Sequence, residues 1–353
     1  MLDVLVARAP VPSLARAPPS SLRPARPRVP RCVSSCCLHA APGSLRLVAV
    51  DMDGTLLRPD GALSEETVAT LRRVHDLGAI VCVASGRPAP TLRRYVRQLD
   101  IGSVAAVCFN GACATLLDGE SPNGDVVWHT EYLDRDAVAR VLDLAAELDL
   151  PVQYCLPDGS YAAPSNDRQR SLLDCFDALV GPEGHSERVA SLHPLDNSGE
   201  EGYTWPYPSP LKLIVVCGSQ SEADDVAVRA RALLPVGMFH VIAAEQHVEF
   251  LSPGTNKASG LRRACEALGM TMEETVAFGD ADNDAEMLAA CGLSFAMPGS
   301  RPKAIEAADR MCEFDNSNEG VAVELRALID EGCIGTSRSV ERRRRCRRGD
   351  ILS

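Results

Sequence analysis

From Leu45 onward, short apolar runs alternate with stretches whose apolar residues recur every three or four positions, the pattern of a parallel sheet flanked by helices. Residues 47–50 predict a first strand. Residues 64–77 predict a helix with Val68, Leu71, Val74 and Leu77 on one face and Gly78 as its stop. A strand over 79–84, a helix over 89–98 and a strand over 104–109 continue the alternation. After Asn110 it breaks into a hairpin (113–117 and 126–131), a helix (134–148), a strand (151–155), a helix (166–179), a long Pro/Gly/Ser-rich stretch (181–210), then strand, helix and strand over 211–217, 221–234 and 239–243. Helices over 256–268, 283–290, 302–308 and 319–330, with strands over 275–278 and 293–296, restore it. The expected fold class is α/β: a doubly wound parallel core, residues 44–111 and 246–332, interrupted by an α+β insertion over 112–245.

The two ends differ in composition from this body. Residues 1–43 hold eight Pro, five Ser and six Arg against one acid, Asp3, with no apolar core of the length a secretory signal requires. They predict a disordered organelle transit peptide, chloroplast ahead of mitochondrion; a plain disordered N-terminus with a cytoplasmic protein is the alternative. Residues 333–353 predict a disordered tail, with seven Arg against two acids over 338–350. Since the whole chain of 353 residues carries a formal charge of −12, the body between these basic ends carries about −22. Such a body repels nucleic-acid backbones and anionic lipid. No apolar run reaches 18 residues, which excludes a spanning helix read from hydropathy. The 14 Cys show no C-x-x-C spacing, and those of the body sit singly in apolar runs, as small hydrophobes do.

An acidic body needs local cations and hydrogen-bond donors to hold an anion, and the strand ends supply candidates. The run 48–50 ends in Asp51-Met52-Asp53-Gly54-Thr55, at the carboxyl end of a strand, where open parallel sheets place ligands. Two close carboxylates repel unless a proton or a metal offsets them. Asp280, Asp282, Asn283 and Asp284 follow another short strand, and the strand-end acids Asp51, Asp53 and Asp280 could supply the oxygen ligands Mg²⁺ takes. For this second run an EF-hand fails, since its sixth position would be Ala285, and a dipole-stabilised helix start is the alternative. Ser85-Gly86-Arg87 ends the second strand with a hydroxyl and free N–H groups. Lys257, one of three lysines beside Lys212 and Lys303, opens a helix where a compact ammonium binds phosphate as a point charge.

In this order, Asp51-x-Asp53-Gly-Thr55, Ser85-Gly-Arg, Asn110-Gly-Ala, Lys257 and Gly279-Asp280-x-x-Asn283-Asp284 resemble the haloacid dehalogenase-like hydrolases, in their Cof-like branch, over roughly residues 45–330. The resemblance implies a Rossmann-like core with an α+β cap and Mg²⁺-dependent hydrolysis of small phosphorylated metabolites, such as sugar phosphates or a flavin-pathway phosphate. It implies Asp51 as nucleophile and Asp53 as general acid and base. Asp51, the Asp53 carbonyl and Asp280 would hold the metal with Asp284 behind them, and Ser85, Gly86, Lys257, Thr55, Asn110 and Asn283 would serve the phosphoryl group. A phosphotransferase or mutase with the same nucleophile, and a non-catalytic binding protein, are the rival readings. Where many relatives place an Asn after the strand following the fourth motif, this chain has Met297-Pro298-Gly299-Ser300. Aromatic residues of the insertion, Trp128, Tyr154, Tyr161, Tyr203, Trp205 and Tyr207, would stack on a ring or form its core. The expected partner is a small phosphorylated metabolite, with neither nucleic acid nor a membrane.

Overall fold

The computed structural model describes residues 43–180, 186–189, 209–234, 239–244 and 246–335. Its strands are β1 (Leu47–Asp51), β2 (Ile80–Ala84), β3 (Ser103–Cys108), β4 (Cys113–Asp118), β5 (Val126–Thr130), β6 (Val152–Leu156), β7 (Gly159–Ala162), β8 (Glu187–Arg188), β9 (Lys212–Val216), β10 (His240–Ala244), β11 (His247–Leu251), β12 (Thr275–Gly279), β13 (Leu293–Ala296) and β14 (Arg310–Met311). Its helices are α1 (Glu65–Asp76), α2 (Ala89–Leu99), α3 (Arg135–Glu147), α4 (Asp167–Val180), α5 (Gln220–Leu233), α6 (Lys257–Leu268), α7 (Ala285–Ala290), α8 (Pro302–Ala307) and α9 (Gly320–Asp330).

Eight strands form one sheet in the order β14-β13-β12-β1-β2-β3-β4-β5, and six form another in the order β10-β11-β9-β6-β7-β8. From β14 to β3 the first sheet is parallel. Successive residues of β1 serve its two faces: Val48 and Val50 pack with Leu71, Leu92 and Leu325 of α1, α2 and α9, while Leu47 and Ala49 pack with Leu261, Leu288 and Ala304 of α6, α7 and α8. The α/β class and the doubly wound core thus follow from strands that are apolar on both sides. The second sheet lays Tyr154, Leu213, Val215 and Phe250 against α3 and α5.

Two expected boundaries move. The hairpin of β4 and β5, assigned to the insertion by its sequence, pairs antiparallel with β3 and extends the first sheet. Only four residues separate β3 from β4, so the chain can only fold back along the strand it has left. Conversely β11, read as core, belongs to the second sheet between β10 and β9. Glu249 breaks its apolar run, which hides the strand from a hydropathy reading. Residues 333–335, expected in the disordered tail, are also packed: Cys333 and Ile334 are buried, and Ile334 bridges Leu45. The rest of that tail, residues 1–42 of the leader, and Tyr203, Trp205 and Tyr207 of the long Pro/Gly/Ser-rich stretch lie outside the described residues. No described helix is long and apolar enough to cross a membrane.

Candidate active site

Because β1 lies between β12 and β2 and all three are parallel, the loops leaving them gather at the carboxyl end of the strands. Asp51 ends β1 and is buried, and the chain then turns sharply through Gly54 at φ +83°. Only glycine fits there: a Cβ would lie 2.5 Å from Oδ2 of Asp280. That close approach brings the turn against the loop after β12, where Thr55 Oγ1 donates to Asp280 Oδ1 at 2.8 Å. Asn256 caps α6 by accepting from Ser259 N, which fixes Lys257 as the first residue of that helix. The Lys257 ammonium, fully buried, reaches Asp51 Oδ1 at 2.5 Å and Asp284 Oδ1 at 2.7 Å. Asp284 Oδ2 accepts from the N–H groups of Asp280 and Ala281, each at 3.0 Å.

Asp51, Asp280 and Asp284 place carboxylate oxygens within 4.8 Å of one another. Burial and then the charge of Asp284 push the Asp51 carboxyl well above its ordinary range, against the pull of Lys257. Asp280 is raised as well, chiefly by burial. Burial alone would depress Lys257, but Asp51 and Asp284 outweigh it and hold the ammonium charged. Three carboxylates against one ammonium leave excess negative charge, and a donor set made only of oxygens suits a hard divalent cation. Both oxygens of Asp284 are already engaged by hydrogen bonds, so Asp51 and Asp280 are the better placed to touch such an ion.

The Asp53 carboxylate does not join this cluster. It is more than half exposed and paired on both oxygens with Arg87, Nε to Oδ2 at 2.8 Å and Nη2 to Oδ1 at 2.6 Å. Arg87, quoted in the Ser-Gly-Arg motif but given no role there, is the first residue of the candidate site that sequence reasoning missed. Ser85 is buried at the end of β2, and its Oγ accepts from Arg87 N at 3.2 Å. Asn110, in the loop after β3, accepts from Asn283 Nδ2 at 3.0 Å and donates to Glu249 Oε2 at 2.7 Å. Gly111 beside it touches the start of α6, where a Cβ would meet Asn256 O at 2.0 Å. Gly86 packs against Asn110, and its carbonyl accepts from Lys212 Nζ at 3.1 Å. Lys212 and Glu249 also went unassigned; a charge inside each of two apolar strands, one of them among only three lysines, was the available signal.

Beside Asp53 and Arg87 opens a cavity of about 330 Å³, walled by Phe109 of the first sheet's loops and by Gln153, Phe176, Ile214 and His247 of the second sheet and α4. Phe176 meets His247 edge to face at 5.1 Å. A phosphoryl group near Asp51 would thus leave the remainder of its ester in a space with apolar rings and a few polar tips.

Residues 48–325 match the family described as haloacid dehalogenase-like hydrolase. The chain is 30% identical over 282 residues to the 5-amino-6-(5-phospho-D-ribitylamino)uracil phosphatase YitU of Bacillus subtilis, covering 78% of this chain and 94% of that one. It is 28% identical over 287 residues to an HMP-PP phosphatase of Enterobacter sp., covering 81% and 96%. Among solved structures, a haloacid dehalogenase-like hydrolase from Bacteroides thetaiotaomicron superposes with a TM-score of 0.66 at 22% identity, over 80% of this chain and 99% of that one.

Proposed function

The chain belongs to the haloacid dehalogenase-like hydrolases and is a phosphoric monoester hydrolase, and from that premise we propose that it cleaves small phosphorylated metabolites with Asp51 as nucleophile. The observation carrying this reading is the buried contact of Asp51 with Lys257 inside the acidic cluster. Attack by an Asp51 oxygen on phosphorus forms an aspartyl phosphate while the bond to the ester oxygen breaks, and water then cleaves the acyl phosphate, so one difficult step becomes two. Asp53, at the cavity mouth, would part from Arg87 and take up a proton from solvent to give to the leaving oxygen, and would afterwards take one from the water. Lys257 and Ser85 supply positive charge and a hydrogen bond where the phosphoryl oxygens gather charge, with Asn110, Asn283 and the Gly86 turn supporting them and Thr55 holding Asp280 in place.

Asp51, Asp280 and the Asp53 carbonyl would hold Mg²⁺, with Asp284 behind them. When bound, the ion supplies charge neutralisation at the phosphoryl oxygens. Phosphate release from a generic aryl ester is therefore expected to stop in EDTA and to return with Mg²⁺; turnover persisting in EDTA contradicts the assignment.

The named relatives and the ring-lined cavity support a phosphorylated heterocycle, such as a flavin-pathway phosphate, ahead of a plain sugar phosphate. A panel of both classes, read as free phosphate against phosphate transferred to a sugar, tests the substrate and separates hydrolysis from transfer. The Arg-rich, acid-poor first 43 residues support a chloroplast leader; import and shortening of the full chain by isolated chloroplasts is expected, and uptake only by mitochondria, or by neither, refutes it.

A further inference from the structure

Lys212 and Glu249 form a second buried ion pair, 2.7 Å apart, outside the acidic cluster around Asp51. Their side chains are 4% and 11% exposed. Both arise from the second sheet, Lys212 at the start of β9 and Glu249 within β11. Two charges are costly to bury, and a pair of apolar side chains would hold this sheet together at least as well. What apolar residues could not do is reach across to the first sheet's loops, and each member does so. Lys212 Nζ donates to the Gly86 carbonyl at 3.1 Å, and Glu249 Oε2 accepts from Asn110 Nδ2 at 2.7 Å.

Both contacts lead on to the phosphoryl site. The Gly86 carbonyl belongs to the peptide whose N–H, that of Arg87, donates to Ser85 Oγ at 3.2 Å. With that lone pair occupied, the Ser85 proton is left to point at an anion, and an ammonium on the far side of the peptide strengthens the arrangement. On the other arm, Asn110 holds its oxygen toward Asn283, whose amide donates to it at 3.0 Å. An amide has two ends that can exchange, and Glu249, which only accepts here, selects the end that leaves the oxygen for Asn283. Burial by itself would raise the Glu249 carboxyl, but Lys212 and His247 hold it down at about 2, so it stays an acceptor throughout the neutral range.

We infer that Lys212 and Glu249 are positioning residues, which fix Ser85 through the Gly86–Arg87 peptide and Asn283 through Asn110, and so tie phosphoryl binding to the seating of the second sheet. This rests on the assignment of that site as the phosphoryl pocket. The test removes both charges together, in Lys212→Met/Glu249→Leu and in Lys212→Met/Glu249→Gln, so that no lone ion is buried in either. Orthophosphate binding is measured calorimetrically with Mg²⁺ present, beside kcat and KM for an aryl phosphate and the thermal midpoint. The Leu variant is expected to bind orthophosphate about 10-fold more weakly or worse, with a near-normal midpoint. The Gln variant retains an acceptor for Asn110 and is expected to fall between it and wild type. A pair serving stability alone would move the midpoint and leave orthophosphate affinity at the wild-type value; that result, in whichever variant folds, overturns the inference. If wild type itself neither binds orthophosphate nor releases it from the ester, the reading of the pocket fails and this inference with it.

Discussion

Asp51→Asn is expected to lower kcat for any phosphate ester by at least about 10⁴-fold, because it would remove the proposed nucleophile, on which both chemical steps would depend. The same change is expected to raise the thermal midpoint of the metal-free protein. Asp51 sits with Asp280 and Asp284 around a single ammonium, and burial followed by the Asp284 charge lifts its carboxyl well above the ordinary range. A carboxyl raised by folding stabilises the folded state only while it is protonated, below the unfolded value, and that contribution is lost as pH rises through the folded value. At neutral pH the ionised form therefore costs stability, which a neutral amide of the same shape relieves; in acid the two proteins should converge. Lys257 keeps Asp284 as its partner in the variant. Kinetics on an aryl phosphate, with melting curves at neutral and acid pH in EDTA, check both parts. Full activity contradicts the role of Asp51, and a large fall in the midpoint contradicts the account of stored repulsion.

The parts of this site legible in the sequence are those that strand ends determine. Asp51, Ser85 and Asp280 each follow an apolar run directly, and once the strands are parallel and adjacent their convergence needs no long-range information. Lys257 was legible for a related reason: a lysine at a helix start, in a chain that otherwise uses arginine, stands out by type and place. Contacts between the two sheets were not legible. Glu249 is 37 residues from Lys212 and 139 from Asn110, and nothing in local periodicity says which loop an inserted sheet will face. The β4–β5 hairpin failed for the opposite reason, since its antiparallel pattern suggested a new unit although its short connection kept it on the old one. The Asp53 carboxylate shows a subtler limit. Spacing on a strand would put it beside Asp51, but the turn at Gly54 sends it to Arg87 instead.

That turn shapes the second large effect. With Asp53 replaced by Ala, kcat for an alkyl phosphate is expected to fall about 10³-fold, the range for losing a general acid and base, which is the role proposed for Asp53. An aryl ester with a good leaving group should behave differently. Nitrophenolate departs without a proton, so attack by Asp51 continues at a larger fraction of its normal rate, while the second step still lacks the base that activates water. Aspartyl phosphate should then accumulate, seen as a burst of nitrophenol close to one per active site followed by slow turnover. Arg87 sharpens the expectation: its two hydrogen bonds hold the Asp53 carboxylate at the cavity mouth, where a leaving oxygen would emerge, and no other described carboxylate lines that cavity except Glu249, which Lys212 and Asn110 already occupy. His247 also lines the cavity, but it packs on Phe176 and beside Glu249, so no second free carboxylic acid is at hand. Equal losses on alkyl and aryl esters, with no burst on the aryl one, would place the proton transfer elsewhere and leave Asp53 with its backbone carbonyl as its only part in the site.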